Sequence, residues 1–253
     1  MMQDGFDANL LSGKTVVLTG AGRGIGLAIA KAAHACGANI IAHSGRQGTA
    51  QALSGICSSV FEADLSQVEG QNQFIEFVKS KTSKVEVLIN NAGTMVGRFP
   101  ADEITDDQYE QLVALNQSSV VKITRALIPL LREAEAASII NTVSISATTG
   151  GSPGSSIYSA SKAFVSTYTK ALARELAPDN IRANAVSPGT ITTDFHERYS
   201  SEEKLEKTRL AVPLQRLGTA EDCASAYIFF SSEKLSGYIT GQTLEINGGL
   251  LIC

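Results

Sequence analysis

Tyr158 and Lys162 stand four residues apart in the stretch Tyr158-Ser-Ala-Ser-Lys162. On a helix that spacing is about one turn, so both side chains leave the same face. An ammonium beside a phenol favours the phenolate and lowers its pKa from about 10 toward working pH. A phenol tuned in this way gives a proton to a carbonyl oxygen or takes one from a hydroxyl.

A second group of residues is suited to a phosphate. Thr19-Gly20-Ala21-Gly22-Arg23-Gly24-Ile25-Gly26 follows an apolar run and precedes a helical pattern. Glycines let the backbone approach a pyrophosphate, and a helix start offers free N–H groups and positive dipole. The literal G-x-G-x-x-G spacing fails, because Ile25 and Leu27 stand where its last glycine would fall; T-G-x-x-x-G-I-G holds instead. Placed between the first strand and the first helix, this turn points to a dinucleotide. The next strand ends in His43-Ser44-Gly45-Arg46, without the acid that would bind a ribose 2′-hydroxyl. Arg23 and Arg46 would flank a 2′-phosphate, with Ser44 donating a hydrogen bond. The expected cofactor is NADP(H); if Arg46 points to solvent instead, the site accepts NAD(H) as well.

Positioning these groups requires alternating strands and helices. Apolar runs rich in Val and Ile lie at 15–19, 39–42, 85–89, 138–141 and 181–186, with a weaker one at 59–61 and a last at 243–246. Helical patterns lie between them at 25–36, 68–81, 105–132, 157–177 and 220–231. Short continuous apolar runs separated by helices describe parallel strands covered on both faces. The expected fold class is α/β: a single Rossmann-type, doubly wound parallel sheet of about seven strands with helices on both faces. No linker or repeat divides the chain, so residues 1–253 read as one domain. The least regular stretch, 190–213, has one helical pattern near 202–210 and follows a strand's C-terminal end, where ligands bind in such sheets. It reads as a substrate-binding lid.

Composition sets the bounds. The chain has 253 residues, 43% hydrophobic and 18% charged, with a net charge of −4. Without a lysine/arginine run, nucleic acid is not an expected partner. No apolar stretch reaches the roughly 18 residues that would span a membrane. The first residues are polar and acidic, unlike a signal peptide, and a cytoplasmic location is expected. Cys36, Cys57, Cys223 and Cys253 form no C-x-x-C pair, and three histidines are scattered; buried free thiols and no metal are the reading.

Together these motifs resemble the short-chain dehydrogenase/reductase family in its compact form. The likeness runs from about Leu11 to Gly249. It rests on Thr19–Gly26, Asp64, Asn90-Asn-Ala-Gly93, Asn116, Ser144, Tyr158 with Lys162, Pro188-Gly189, and the tail from Tyr238 to Gly249. Carried over residue by residue, the resemblance implies that Gly20, Gly22, Arg23, Gly24, Ile25 and Gly26 cradle the cofactor. It implies that Asp64 and Leu65 flank the adenine, while Asn90 to Gly93, with Asn91, Ala92 and Gly93 touching the cofactor, wall its ribose. Pro188, Gly189 and Thr193 would lie over the nicotinamide. Tyr158 would be the acid/base, and Lys162 would tune it and hold the nicotinamide ribose. Asn116 would hold a relay water through its backbone carbonyl. A serine ending the fifth strand would polarise the substrate oxygen. The frame Ile139-Ile-Asn-Thr-Val-Ser144 selects Ser144, one residue farther from Tyr158 than in the family, which implies an extra residue within 150–156; Ser146 is the alternative. Asn247 replaces the aspartate common in the family's tail, and the segment after Arg46 leaves room for only a short helix.

The implied activity is reversible hydride transfer between a nicotinamide and a ketone or secondary alcohol. Thr148, Gly151, Phe195 and the 190–213 segment would wall the substrate pocket. The substrate reads as a 3-oxoacyl thioester or, alternatively, a sugar or polyol oxidised with NAD(H). A dinucleotide-sensing regulator without turnover is the remaining alternative. The helices at 105–132 and 157–177 carry apolar residues beyond one face, and in the family such helices pair into dimers or tetramers.

Overall fold

The computed structural model describes residues 2–3, 6–45 and 48–252. Among them are seven strands of one parallel sheet: β1 (Thr15–Leu18), β2 (Asn39–Ser44), β3 (Ser59–Glu62), β4 (Val87–Asn90), β5 (Ala137–Thr142), β6 (Ile181–Pro188) and β7 (Thr243–Ile246). Their order is β3-β2-β1-β4-β5-β6-β7. The direction of winding therefore reverses at β1, where Leu18 pairs with Ala42 on one side and Ile89 on the other. A crevice opens at the carboxyl ends of the strands at such a switch point.

Alternation along β1 builds two cores. Val16 and Leu18 face α1 (Gly24–Ala35) and α9 (Ala220–Ser231), where they join Ile29, Ala33, Tyr227 and Phe230. Val17 faces the opposite layer with Phe74, Val78, Leu127, Leu131 and Leu172. These come from α2 (Val68–Lys81), α4 (Ser119–Arg132) and α6 (Ser156–Leu176). Period-two side-chain direction thus assigns neighbouring valines to different cores.

The expected strands are all present, with ends shifted by a residue or two, and the second and fifth expected helices have the observed bounds. Elsewhere the helices differ. The expected 105–132 helix is α3 (Asp106–Val113), a π-helical turn (Ala114–Ser118) and α4. Thr105 lies outside it as N-cap, accepting from the Gln108 N–H. The segment after β2 contains only a 3-10 turn, Ala50–Leu53, among the described residues. A short helix α5 (Ser146–Thr149) precedes α6, and α10 (Glu233–Ser236) follows α9. The 190–213 segment holds two helices, α7 (Asp194–Tyr199) and α8 (Glu202–Ala211), where one was expected. Cys36 and Cys223 are buried and Cys57 half-buried, all as free thiols; Cys253 lies outside the described residues.

Candidate active site

The carboxyl ends of β1, β4, β5 and β6 border a cavity of about 710 Å³ that also takes in the start of α1 and the 190–213 segment. Its cofactor-like end is built by the glycine turn. Arg23 is the N-cap of α1 but makes no side-chain cap, so first-turn N–H groups remain for an anion. Only glycine fits at 26, since an added Cβ would lie 2.0 Å from the Gly20 carbonyl oxygen. Asn91 ties the turn down, donating from Nδ2 to the carbonyls of Thr19 and Gly20 at 3.2 and 3.1 Å. Thr19 Oγ1 returns the link by accepting from the Asn91 and Ala92 N–H groups. This close-packed turn, with open helix N–H groups and no acid after β2, fits a dinucleotide.

His43 supports the turn from below, a role the sequence reading missed. Its Nδ1 accepts from the Gly20 N–H at 3.1 Å, while Nε2 donates to the Ala63 carbonyl at 2.9 Å. Burial pushes its pKa down to about 4, so the ring stays neutral in this tautomer.

The remaining cofactor-side residues fall into two groups. Gly22, Gly24, Ile25, Asp64, Leu65, Ala92, Gly93, Pro188, Gly189 and Thr193 line the cavity. Asp64 accepts from the Ser66 N–H and hydroxyl, which shapes the loop after β3. Ser44 is buried, its hydroxyl paired with Thr49, and Thr49 rather than Ser44 reaches the cavity wall. Arg23 also borders the cavity, with its guanidinium bound to Asp194 at 3.0 Å. Arg46 lies outside the described residues. Asn90 turns into the core, donating to Thr124 and Asn141.

At the other end stand Ser144, Tyr158 and Lys162. The 21-residue α6 carries Tyr158 and Lys162 inward, both buried. The Ser144 hydroxyl lies beside the Tyr158 phenol, near enough to lower its pKa. Lys162 Nζ donates to the Thr142 carbonyl at 2.8 Å and stands 6.0 Å from the Tyr158 ring centre. Beside Gly93 the packing is close: an added Cβ would come within 3.2 Å of Lys162 Nζ and 3.4 Å of Asn116 Oδ1. Asn116 sits in the π-helical turn, a feature frequent at functional sites. Its side chain clamps Thr94 through both backbone groups and donates to Ser161.

The charge state differs from the expected one. Burial pushes Tyr158 up to about 12, with Ser144 and then Arg98 pulling it back. Lys162 is turned toward Thr142, and burial lowers it to about 8. Desolvation of the phenol therefore outweighs the expected pull of the ammonium.

On the substrate side, Gly151 and Phe195 line the cavity as expected, but Thr148 is exposed. The helical turn α5 puts Ser146 and Thr149, three apart, on the cavity face instead. The Ser146 N–H donates to Ser144 Oγ at 3.2 Å. The 190–213 segment borders this side, with Phe195 5.8 Å from the Tyr158 ring and 5.0 Å from Tyr199. The sequence reading also missed Arg98, which donates to the Tyr199 carbonyl and to Ser152 Oγ. Its only signal was a lone basic residue just beyond the Asn-Asn-Ala-Gly motif.

A family model described as enoyl-(acyl carrier protein) reductase matches residues 20–251. An uncharacterized short-chain type dehydrogenase/reductase of Sinorhizobium fredii is 36% identical over 254 residues, covering 96% of this chain and 99% of that one. The 3-oxoacyl-(acyl-carrier-protein) reductase of Chlamydia pneumoniae is 35% identical over 246 residues, covering 95% and 98%. Among solved structures, an NADH-dependent reductase responsible for alginate metabolism matches with a TM-score of 0.87 at 32% identity, covering 96% of this chain and 99% of that one. With the sheet order and matched length in agreement, the chain belongs to the short-chain dehydrogenase/reductase family, oxidoreductases acting on CH–OH and keto groups.

Proposed function

We propose that this protein reduces a ketone to a secondary alcohol with NADP(H), using Tyr158 as the proton donor. The observation that carries this reading is the Ser144 hydroxyl beside the buried Tyr158 and Lys162, in a cavity continuous with the glycine turn. A nicotinamide dinucleotide supplies the hydride when bound. The 20–26 turn, Asp64, Leu65, Asn91–Gly93, Pro188, Gly189 and Thr193 would hold it.

Ser144 would orient the carbonyl oxygen and stabilise the charge that develops on it. Tyr158 gives its proton to that oxygen, and its burial keeps the phenol neutral and ready to donate. Lys162 holds a positive charge beside the phenolate left behind and passes a proton back to it. Asn116 fixes the Thr94 and Ser161 segments around the lysine. Run in reverse, the same groups oxidise an alcohol. Tyr158→Phe should abolish turnover while NADPH still raises the melting temperature; turnover within tenfold of wild type would overturn the assignment.

The absence of an acid after β2 supports NADP(H), whereas the NADH-dependent reductase above supports NAD(H). The ratio of kcat/KM for NADPH and NADH decides, and a preference for NADH would reverse the choice. The Chlamydia relative's name supports a 3-oxoacyl thioester substrate. A sugar or polyol is the second reading, favoured by the polar wall of Ser146, Thr149 and Ser152.

A homo-oligomer, dimer or tetramer, fits the exposed Phe164 stacked on Tyr168 along α6; light scattering after size exclusion tests it. Among the described residues no helix is long and apolar enough to cross a membrane, and a cytoplasmic enzyme is our reading.

A further inference from the structure

The substrate end of the cavity contains two cations that share one hydroxyl. Arg98 comes from the loop after β4, Lys204 from α8, and Ser152 from the turn between α5 and α6. Arg98 Nη1 and Lys204 Nζ each donate to Ser152 Oγ at 2.8 Å. Arg98 Nε is fixed on the Tyr199 carbonyl at 2.7 Å, which aims the guanidinium. Among the described residues, neither cation meets an Asp or Glu, although seven other ion pairs are formed. The nearby Asp194 is engaged by Arg23 on the cofactor side.

Three elements have thus brought like charges together without a counter-charge among the described side chains. Burial lowers both side chains' pKa values, and Arg98 lowers that of Lys204 further. Such an arrangement costs stability unless an anion relieves it. The hydrogen-bonding capacity points the same way. Ser152 Oγ accepts from both cations, which leaves its own proton for a third acceptor. The guanidinium retains donors beyond its bonds to Tyr199 and Ser152, in the planar fork that matches an oxyanion. All three residues border the cavity that holds Ser144 and Tyr158. Arg98 is close enough to the phenol for each to influence the other's ionisation.

We propose that Arg98, Lys204 and Ser152 form a receptor for an oxyanion of the substrate, a carboxylate or phosphate ester a few bonds from the reacting carbonyl. This rests on the carbonyl-reductase reading of the site and selects, within it, small acidic carbonyl compounds over neutral ketones or plain acyl chains.

The test compares matched pairs with NADPH: acetoacetate against methyl acetoacetate, 5-ketogluconate against fructose, and dihydroxyacetone phosphate against dihydroxyacetone. The wild type should favour at least one anion over its neutral partner by roughly tenfold or more in kcat/KM, as expected for charge-assisted hydrogen bonds. The pair that shows it separates carboxylate from phosphate. In Arg98→Met/Lys204→Gln that ratio should collapse toward one, mainly through KM, and Lys204→Arg should retain it. Equal use of neutral and anionic partners by the wild type, or a ratio unchanged in the double variant, would overturn the receptor. If no carbonyl compound is turned over, the reductase reading fails separately. Calorimetry of the same three anions with the NADPH-loaded protein then decides the receptor: binding lost in the double variant supports it, and no binding to wild type refutes it.

Discussion

The Arg23 guanidinium meets the Asp194 carboxylate at 3.0 Å, joining the N-cap of the helix after the glycine turn to the first residue of α7. The hydrogen bond from Arg23 holds the Asp194 carboxyl below its usual range. Both side chains are a third to half exposed, so the pair contributes at most about 1 kcal/mol to stability. Its importance lies in coupling the two ends of the cavity. Asp194→Asn should shift the melting temperature by no more than about 4 °C. It should raise the substrate KM several-fold, because α7 then loses an anchor that adds to Phe195 against Tyr158 and to the Tyr199 contacts. A large loss of kcat with KM unchanged would count against a role in holding the lid.

Ser144 and Ser146 can be separated by replacement. The Ser144 hydroxyl lies beside the Tyr158 phenol and accepts the Ser146 N–H, which fixes its oxygen next to the proposed proton donor. Ser146 Oγ points toward Gly151, whose added Cβ would lie 3.3 Å from it. Ser144→Ala should lower kcat by about a hundredfold or more, the loss typical of one oxyanion donor. Ser146→Ala should stay within a few-fold of wild type in kcat. The reverse ranking would transfer the role to Ser146.

Lys162 should set the pH profile. Burial lowers its pKa to about 8, whereas the Tyr158 phenol is raised to about 12. Below pH 8 the lysine is charged and the phenol neutral, the pair of states that reduction requires. As pH rises through about 8, Lys162 loses the charge that would stabilise the departing phenolate. The kcat/KM for ketone reduction should therefore be level in the neutral range and fall above about pH 8. The profile is measured at saturating cofactor and low substrate. A profile level to pH 10 would mean that Lys162 does not titrate in this range.

What the sequence made legible, and what it did not, follows from the range of the interactions involved. Val16, Val17 and Leu18 announced a two-sided strand because their pattern is local. Tyr158 and Lys162 were visible because one helical turn relates them. The glycine turn was visible because close backbone approach admits little else at Gly26. Arg98 is placed by Tyr199 and Ser152, 101 and 54 residues away, and no local pattern encodes such partners. The short helix α7 has only six residues, too few to be stable alone; Phe195 and Tyr199 hold it against the site. The tuning of Tyr158 was misjudged for a related reason. Spacing shows that Lys162 is near, but burial and the Thr142 carbonyl, both tertiary, decide which way each pKa moves.

His43 gives a further prediction, in acid. Its folded pKa of about 4 lies below the 6.5 of an exposed imidazole. Between these values the unfolded chain binds a proton that the folded chain refuses, so stability rises with pH across that window. On acidification from pH 6.5 to 4, this one group should remove up to about 3 kcal/mol. Below pH 4 its contribution stays level, since both states are then protonated. The structural reason is specific: a proton on Nδ1 would face the Gly20 N–H, setting donor against donor at the base of the glycine turn. In His43→Gln, urea unfolding should show lower stability at pH 7 and a shallower decline between pH 6.5 and 4 than in wild type. NADPH affinity should also fall at pH 7, because Gly20 loses its support. Parallel stability curves for the two proteins across that window would show that His43 remains able to protonate in the folded state, and the staple would have to be abandoned.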